Sequence, residues 1–251
     1  MGYTTLQGKY LHPEKMKSNH FENRIFLIWT GPNKMSENRH NALMSFYENS
    51  GSEVILIDQS NLNQWLVKKL HSSYNYLSYT HRADYLRCYF MHNYGGGYSD
   101  IKFCTFDWSK YFENLQISDS QILMSGYPER KASDIGSYDK HIRNSYSQLP
   151  GMGQFIFKPK SELTYQWISS VHSYLDSISC RLVQYPGTYH PRAINGGLHD
   201  HNILVRIRFL ASRYPLSWNW FLGRILHPLT YRFKDRLSLN MPYVDTLTNY
   251  R

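Results

Sequence analysis

The chain has 251 residues, of which 41% are hydrophobic, 16% aromatic and 19% charged, and its formal net charge is +9. That length suits one good-sized domain with room for an appended piece, and the apolar content suffices for a real core. No run of 18 apolar residues occurs, which excludes a membrane-spanning helix, and among three cysteines without CxxC spacing Cys88 and Cys104 read as buried thiols rather than ligands or disulfide partners.

The first 20 residues are polar and hold no apolar leader core, so a cytoplasmic location is expected. RIFLIW (24–29), closed by TGPN, reads as a buried strand and a turn. In the next segment Met35, Ala42, Leu43, Phe46 and Tyr47 recur at helical spacing as far as Gly51. EVILID (53–58) is a second buried strand. SNLNQWLVKKLHSSY (60–74) puts Leu62, Trp65, Leu66 and Leu70 on one face and predicts a helix capped by Ser60 or Asn61.

HRADYLRCYFMHNYGGGYSDIKF (81–103) comes next. Ala83, Leu86, Cys88, Phe90 and Met91 predict a helix of about four turns, stopped by Gly95 in the left-handed conformation. YSDIKFCTF (98–106) reads as the following strand. Residues 107–127 suggest a loop, a short helix and the strand QILMSGY. The polar stretch 128–153 is a long excursion, of a kind that is usually functional or disordered. QFIFKP (154–159) is a further strand, and Leu163, Trp167, Ile168, Val171 and Leu175 mark an amphipathic helix. Strands alternating with helices predict an α/β domain with a mostly parallel central sheet flanked by helices.

The end of the chain differs. From 181 to 251 ten Lys and Arg stand against three acids. Trp218, Trp220, Phe221, Leu222, Ile225 and Leu226 interleave with Arg224, Arg232, Lys234 and Arg236, and Pro215 and Pro228 divide the segment. Two readings stand: a basic aromatic element that lies on a membrane surface, or a helical cap packed on the sheet. The expected division is a domain over 1–210 and a C-terminal segment over 211–251, the latter a candidate membrane-association element.

The chemistry concentrates in 83–102. Asp84 and Arg87, three apart, share a helical face. Tyr98, Asp100 and Lys102 alternate onto one side of a strand. The glycines before them let backbone approach a ligand without a Cβ clash. In an α/β fold the ligand is expected at the carboxyl ends of the strands. An Asp there can accept hydroxyl hydrogen bonds from ribose or sugar, or hold a divalent cation on a diphosphate.

ADYLRCYFMHNYGGGYSDIKF resembles the DXD region of the glycosyltransferase 32-like families. Their pattern is roughly (S/A)-D-x-x-R, about seven residues, then G-G-x-Y-x-D-x-D. That group includes yeast mannosyltransferases, capsular polysaccharide transferases and the catalytic domains of clostridial glucosylating toxins. NRIFLIWTG is similar to the family's first strand, LIDQSNLNQWLVKKL to its second strand and helix, and GQFIFKPKSEL to a later strand and turn. The resemblance implies a GT-A fold, here with a helical C-terminal tail. It also implies transfer of a hexose, with retention, from a nucleotide donor, UDP-hexose being the default.

Carried onto this chain, the resemblance implies Trp29 against the base with Thr30 nearby, and Asn61 at base or ribose. Asp84 and Arg87 would hold the donor sugar, with Arg87 also near the diphosphate. Gly96 and Gly97 would border the donor, Tyr98 would pack on the nucleotide, and Asp100 would bind hydroxyls and a metal. The family's second Asp, a direct Mn2+ or Mg2+ ligand, is Lys102 here, so Asp100 and Lys102 are the expected catalytic pair. An ammonium cannot ligate a cation, but it can meet diphosphate charge itself.

Three readings of Lys102 therefore stand. It replaces the metal; or a metal binds through Asp100 and a later ligand; or the chain is inactive. The candidate later ligand is His199, beside Asp200 and His201 in YHPRAINGGLHDHN. The same loop, with His190 and Arg192, could instead bind acceptor or close over the donor.

The expected function is a hexosyltransferase acting on a saccharide acceptor, lipid-linked, in capsule, O-antigen or lipopolysaccharide assembly. It would sit at the inner face of the cytoplasmic membrane, held by its basic tail. The alternatives are a catalytically inactive scaffold and a basic nucleic-acid-binding protein. For the latter the charge speaks, but no RNP-like, zinc-finger or helix-turn-helix signature is present, and no nucleic acid is expected as partner.

Overall fold

In chain order the elements are β1 (Arg24–Ile28), α1 (Glu37–Asn49), β2 (Glu53–Ile57), α2 (Tyr79–Asn93), β3 (Gly96–Ser99) and α3 (Ser109–Gln116). Then follow β4 (Met124–Pro128), α4 (Lys140–Asn144), β5 (Pro150–Phe157), α5 (Glu162–Gln184), α6 (His227–Arg232) and β6 (Leu237–Ser238). The computed structural model describes residues 21–117, 121–187 and 213–244, together with Ile203 and Ile207.

The strands form one sheet in the order β2-β1-β3-β5-β4-β6. β1 pairs in parallel with β2 and β3, and β4 with β6. β5 runs antiparallel to both of its neighbours, β3 and β4. The sheet is thus mostly parallel, as the alternation of elements predicts, with one reversed strand that no local pattern disclosed.

Strand alternation sorts the core into two layers. Phe26 and Ile28 of β1, with Phe155 and Phe157 of β5, face α2 and α5; Ile25 and Leu27, with Ile156, face α1 and α3. The two layers close over large side chains such as Trp167 on one face and Trp108 on the other, both fully buried. Burying each such ring contributes on the order of 2–3 kcal/mol before cavity effects.

Helix starts follow their sequence signals. Ser36, Ser78 and Ser161 cap α1, α2 and α5, each hydroxyl accepting a backbone N–H three residues on. α2 ends at Tyr94, and Gly95 takes φ +66. That is the left-handed exit expected of it.

Two expectations are corrected. The predicted helix over 60–74 is instead a pair of 3-10 turns, Leu62–Trp65 and Ser72–Tyr76, with irregular chain between. Tyrosine hydroxyls from α2 and from Tyr94, which follows it, take the backbone groups a helix would have used. Tyr89 bonds both N–H and C=O of Lys68, at 2.7 Å each, Tyr85 accepts from His71 N, and Tyr94 donates to Trp65 O. The strand predicted over 98–106 stops at Ser99. Asp100 N still reaches Gly153 O at 2.7 Å, but Lys102 N turns back to Asp100 O at 2.7 Å and ends the ladder.

The described part of the tail, 213–244, packs on the domain. Phe221 and Leu226 are fully buried in the α2–α5 layer, and Trp167 Nε1 donates to Phe221 O at 3.1 Å. Buried His81 of α2 joins Tyr214 and Ser217 to the same layer, at 3.0 Å each. Of the two readings of the tail, packing holds for these residues. Membrane association remains a matter for its exposed side chains.

Candidate functional site

A cleft of about 1030 Å³ opens where β1 and β3 end. Of the residues singled out from sequence, Trp29, Thr30, Asp84, Arg87, Tyr98, Asp100 and Lys102 line it. They arrive from three separate stretches, the exits of β1 and β3 and the first turns of α2. The carboxyl-end rule for α/β sheets explains the convergence.

Arg87 is the hub. Its Nη2 lies 3.2 Å from Asp84 Oδ1 and 3.4 Å from Asp100 Oδ1, and Nη1 donates to Met152 O at 3.0 Å. The guanidinium sits over the Tyr98 ring, 4.3 Å from its centre. Tyr98 in turn donates its hydroxyl to Asp100 Oδ1 at 2.9 Å. Lys102 Nζ stands 3.6 Å from the other oxygen, Asp100 Oδ2. Asp84 is buried and the Arg87 side chain is 11% exposed, whereas the Asp100 side chain is 30% exposed and is the open end of the cluster.

This electrostatic setting shifts its members. Burial raises the Asp84 carboxyl to about 6, against the lowering pull of Arg87 and with a further push from Asp100. Burial also holds the Tyr98 hydroxyl well above the usual phenol range, although Arg87 opposes it. Tyr98 therefore stays a neutral hydrogen-bond donor to Asp100.

The other end of the same wall is aromatic and basic. Trp29 anchors its indole N–H on Asn33 O at 2.8 Å, and Arg39 lies 5.3 Å from the Trp29 ring centre. Thr30 lines the cleft, but its hydroxyl donates to Tyr79 O at 2.5 Å and so ties the β1 exit to the start of α2.

Asn61, Gly96 and Gly97 do not line the cleft. Asn61 closes the end of β2, donating from Nδ2 to Leu56 O at 2.7 Å and accepting from Asp58 N at 3.0 Å. Gly96 has φ +84, and a Cβ there would lie 2.6 Å from Arg24 O. A Cβ on Gly97 would lie 3.0 Å from the Trp108 ring. These glycines let β3 lie against β1 and Trp108, which sets Asp100 at the cleft. His190, Arg192, His199, Asp200 and His201 lie outside the described residues.

Sequence reasoning missed the opposite wall. Tyr127, Met152 and Gly153 come from β4 and β5, Glu129 from just past β4, and Trp218, Asn219, Leu222 and His227 from the tail. His227 is buried between strands and tail. Gly136 N–H donates to its Nδ1 at 3.1 Å, which leaves the proton on Nε2, facing Glu129 at 3.5 Å and Pro150 O at 3.3 Å. Asn219 Oδ1 accepts from Gly223 N at 2.8 Å at the head of a π-helical segment, Trp220–Leu226. Such widened turns recur at functional sites. The signal available in sequence was the polar Asn219 and His227 within an apolar run, which the charge of the tail overshadowed.

The resemblance to DXD enzymes implies a divalent cation at Asp100. The described residues do not fit one. Both Asp100 oxygens already face a cationic side chain, at 3.4 and 3.6 Å. Among the described residues no three His, Cys, Asp or Glu side chains gather as a metal site.

Among solved structures, one titled PaToxG Glycosyltransferase aligns with 91% of this chain and 82% of its own, at 14% identity and a TM-score of 0.38. That likeness is too slight to argue from. No curated protein matches. A family model described as capsular polysaccharide synthesis protein matches residues 4–169, more than half of the chain, and the chain belongs to that family.

Proposed function

We propose that this chain is a glycosyltransferase of the GT-A kind, which moves a hexose from a nucleotide donor to a saccharide acceptor in polysaccharide biosynthesis. The observation that carries the reading is the Asp84–Arg87–Tyr98–Asp100–Lys102 cluster, set on a cleft at the strand ends. Family membership supports a step in capsule synthesis. Acids to accept sugar hydroxyls, cations to meet a diphosphate and an aromatic for the base are the three needs of a nucleotide-sugar site.

In this reading Trp29 and Arg39 take the base. Arg87 and Lys102 face the diphosphate, whose negative charge grows as the sugar departs. Asp84 and Asp100 accept hydrogen bonds from sugar and ribose hydroxyls. The wall of Trp218, Asn219 and Leu222 faces the acceptor, because it stands across the cleft from the donor cluster. UDP-hexose as donor, retention at the anomeric carbon and a lipid-linked acceptor complete the proposal.

Peripheral attachment to the inner face of the cytoplasmic membrane belongs to the same reading. Its support is the basic excess after residue 181 and the exposure of Ile203, Ile207 and Trp218. Among the described residues no helix is long and apolar enough to cross a membrane.

The test is a thermal-shift and calorimetric panel of UDP-, GDP- and CMP-hexoses, followed by an assay of sugar release. Wild type is expected to bind one donor class and Asp100→Ala to lose it. Binding without turnover on any acceptor would favour the inactive scaffold. Binding of none, with salt-sensitive RNA binding instead, would replace the proposal by the nucleic-acid reading.

A further inference from the structure

Resting on the nucleotide-sugar reading above, we infer that the donor diphosphate binds this site without a divalent ion. Arg87 and Lys102 supply the positive charge that a metal supplies elsewhere. A bridging Mn2+ or Mg2+ needs a carboxylate oxygen at roughly 2.0–2.6 Å with a lone pair turned to it. At Asp100 both oxygens are instead turned to cationic side chains. Oδ1 accepts the Tyr98 hydroxyl at 2.9 Å and faces Arg87 at 3.4 Å, and Oδ2 faces Lys102 at 3.6 Å. A doubly charged ion placed there meets two cations that the fold holds in position.

Those cations are fixed by different means. Arg87 is clamped by Asp84, by Met152 O and by the Tyr98 ring. Lys102 is held by the turn that returns its N–H to Asp100 O at 2.7 Å. The cluster is close to neutral while empty, with Asp84 and Asp100 against Arg87 and Lys102. Lys34 and Arg39 add two more cations along the same cleft. An arriving diphosphate therefore finds cationic side chains to pair with, while Glu129 and Asp134 also line the cleft and balance the formal charge of its lining. Asp100 acts as a positioning residue for Lys102 until the ligand's oxygens take its place beside the ammonium.

The experiment is isothermal titration of UDP and of GDP into the full chain, in EDTA and in Mn2+. Wild type is compared with Lys102→Ala, Lys102→Arg and Lys102→Asp. The expected result is a wild-type Kd that changes less than about threefold between the two buffers. Lys102→Ala should weaken binding in EDTA by about tenfold or more, the scale of one charge-assisted hydrogen bond, and Lys102→Arg should restore most of it. Lys102→Asp should bind weakly in EDTA and gain about tenfold from Mn2+, since it rebuilds a carboxylate pair.

Wild-type binding that requires Mn2+ overturns the inference and leaves the transferase reading intact. Lys102→Ala binding as tightly as wild type in EDTA overturns it as well. Failure of wild type to bind either nucleotide in either buffer overturns the inference and the site reading together.

Discussion

Arg87 Nη2 lies 3.2 Å from Asp84 Oδ1, one helical turn away on α2, with the Asp84 side chain buried and that of Arg87 largely covered. Little water reaches either charge, so each depends on the other. Removing the cation strands a carboxylate in the core, which costs about 3–5 kcal/mol. Arg87→Ala is expected to lose that much in urea unfolding. Arg87→Lys should lose less, because it keeps the charge but not the fork that reaches Asp84, Asp100 and Met152 together. The double variant Asp84→Ala/Arg87→Ala should recover part of the loss, and strict additivity would show that the pair is not coupled.

The same Asp84 sets a dependence on pH. Its carboxyl is raised from 3.8 to about 6, so the folded state holds the proton longer and stability falls as pH rises through that window. His81 does the opposite. Burial lowers it from 6.5 to about 4, so stability is lost as pH falls through that window. Each effect is about 3 kcal/mol, and in wild type they largely offset each other between pH 4 and 6. Asp84→Asn removes one side of the balance. Its unfolding free energy should drop more steeply than that of wild type on acidification from pH 6.5 to 4, and parallel curves would rule the account out.

Gly96 and Gly97 are read here as packing positions. Gly96→Ala meets both φ +84 and the Arg24 carbonyl at 2.6 Å, neither of which a side chain can move aside. Gly97→Ala meets the Trp108 ring and the Ile25 side chain at 3.0–3.1 Å, where small shifts relieve the contact. Gly97→Ala should cost about 1–3 kcal/mol, and Gly96→Ala more. Thermal midpoints in the reverse order would contradict this placement.

Trp218 and Phe221 separate the two duties of the tail. Phe221 is fully buried, and Phe221→Ala should cost about 3–5 kcal/mol. Trp218 is 52% exposed at the cleft, so Trp218→Ala should change stability by only about 0.5 kcal/mol. It should raise the acceptor KM while leaving the Kd for UDP unchanged. An unchanged acceptor KM would remove Trp218 from the acceptor wall.

Ile203 and Ile207, 60% and 54% exposed, bear on membrane attachment. Co-sedimentation with phosphatidylglycerol vesicles should exceed that with phosphatidylcholine and should fall at high salt. Ile203→Glu/Ile207→Glu should weaken it further. Equal sedimentation with both lipids, or none, would leave the basic tail as a solvated face.

By itself the sequence determined what short-range forces settle. The left-handed Gly95, the burial of β1 and the pairing of Asp84 with Arg87 each depend on neighbours within a turn or on a fixed period, and all were legible. Asp100 and Lys102 were legible as a pair too, but for the wrong reason. They meet because the chain turns after Ser99, and strand alternation has no part in it.

Only the tertiary structure decided the rest. The predicted helix at 60–74 gave way because hydroxyls from distant α2 tyrosines bond its backbone. The reversal of β5 and the far wall of the cleft, from Tyr127 to His227, likewise depend on contacts between segments remote in the chain. Hydrophobic period and capping report what one segment can bury or bond within itself. Which remote group arrives to complete it is settled only when the layers close, and there the cleft took its second side.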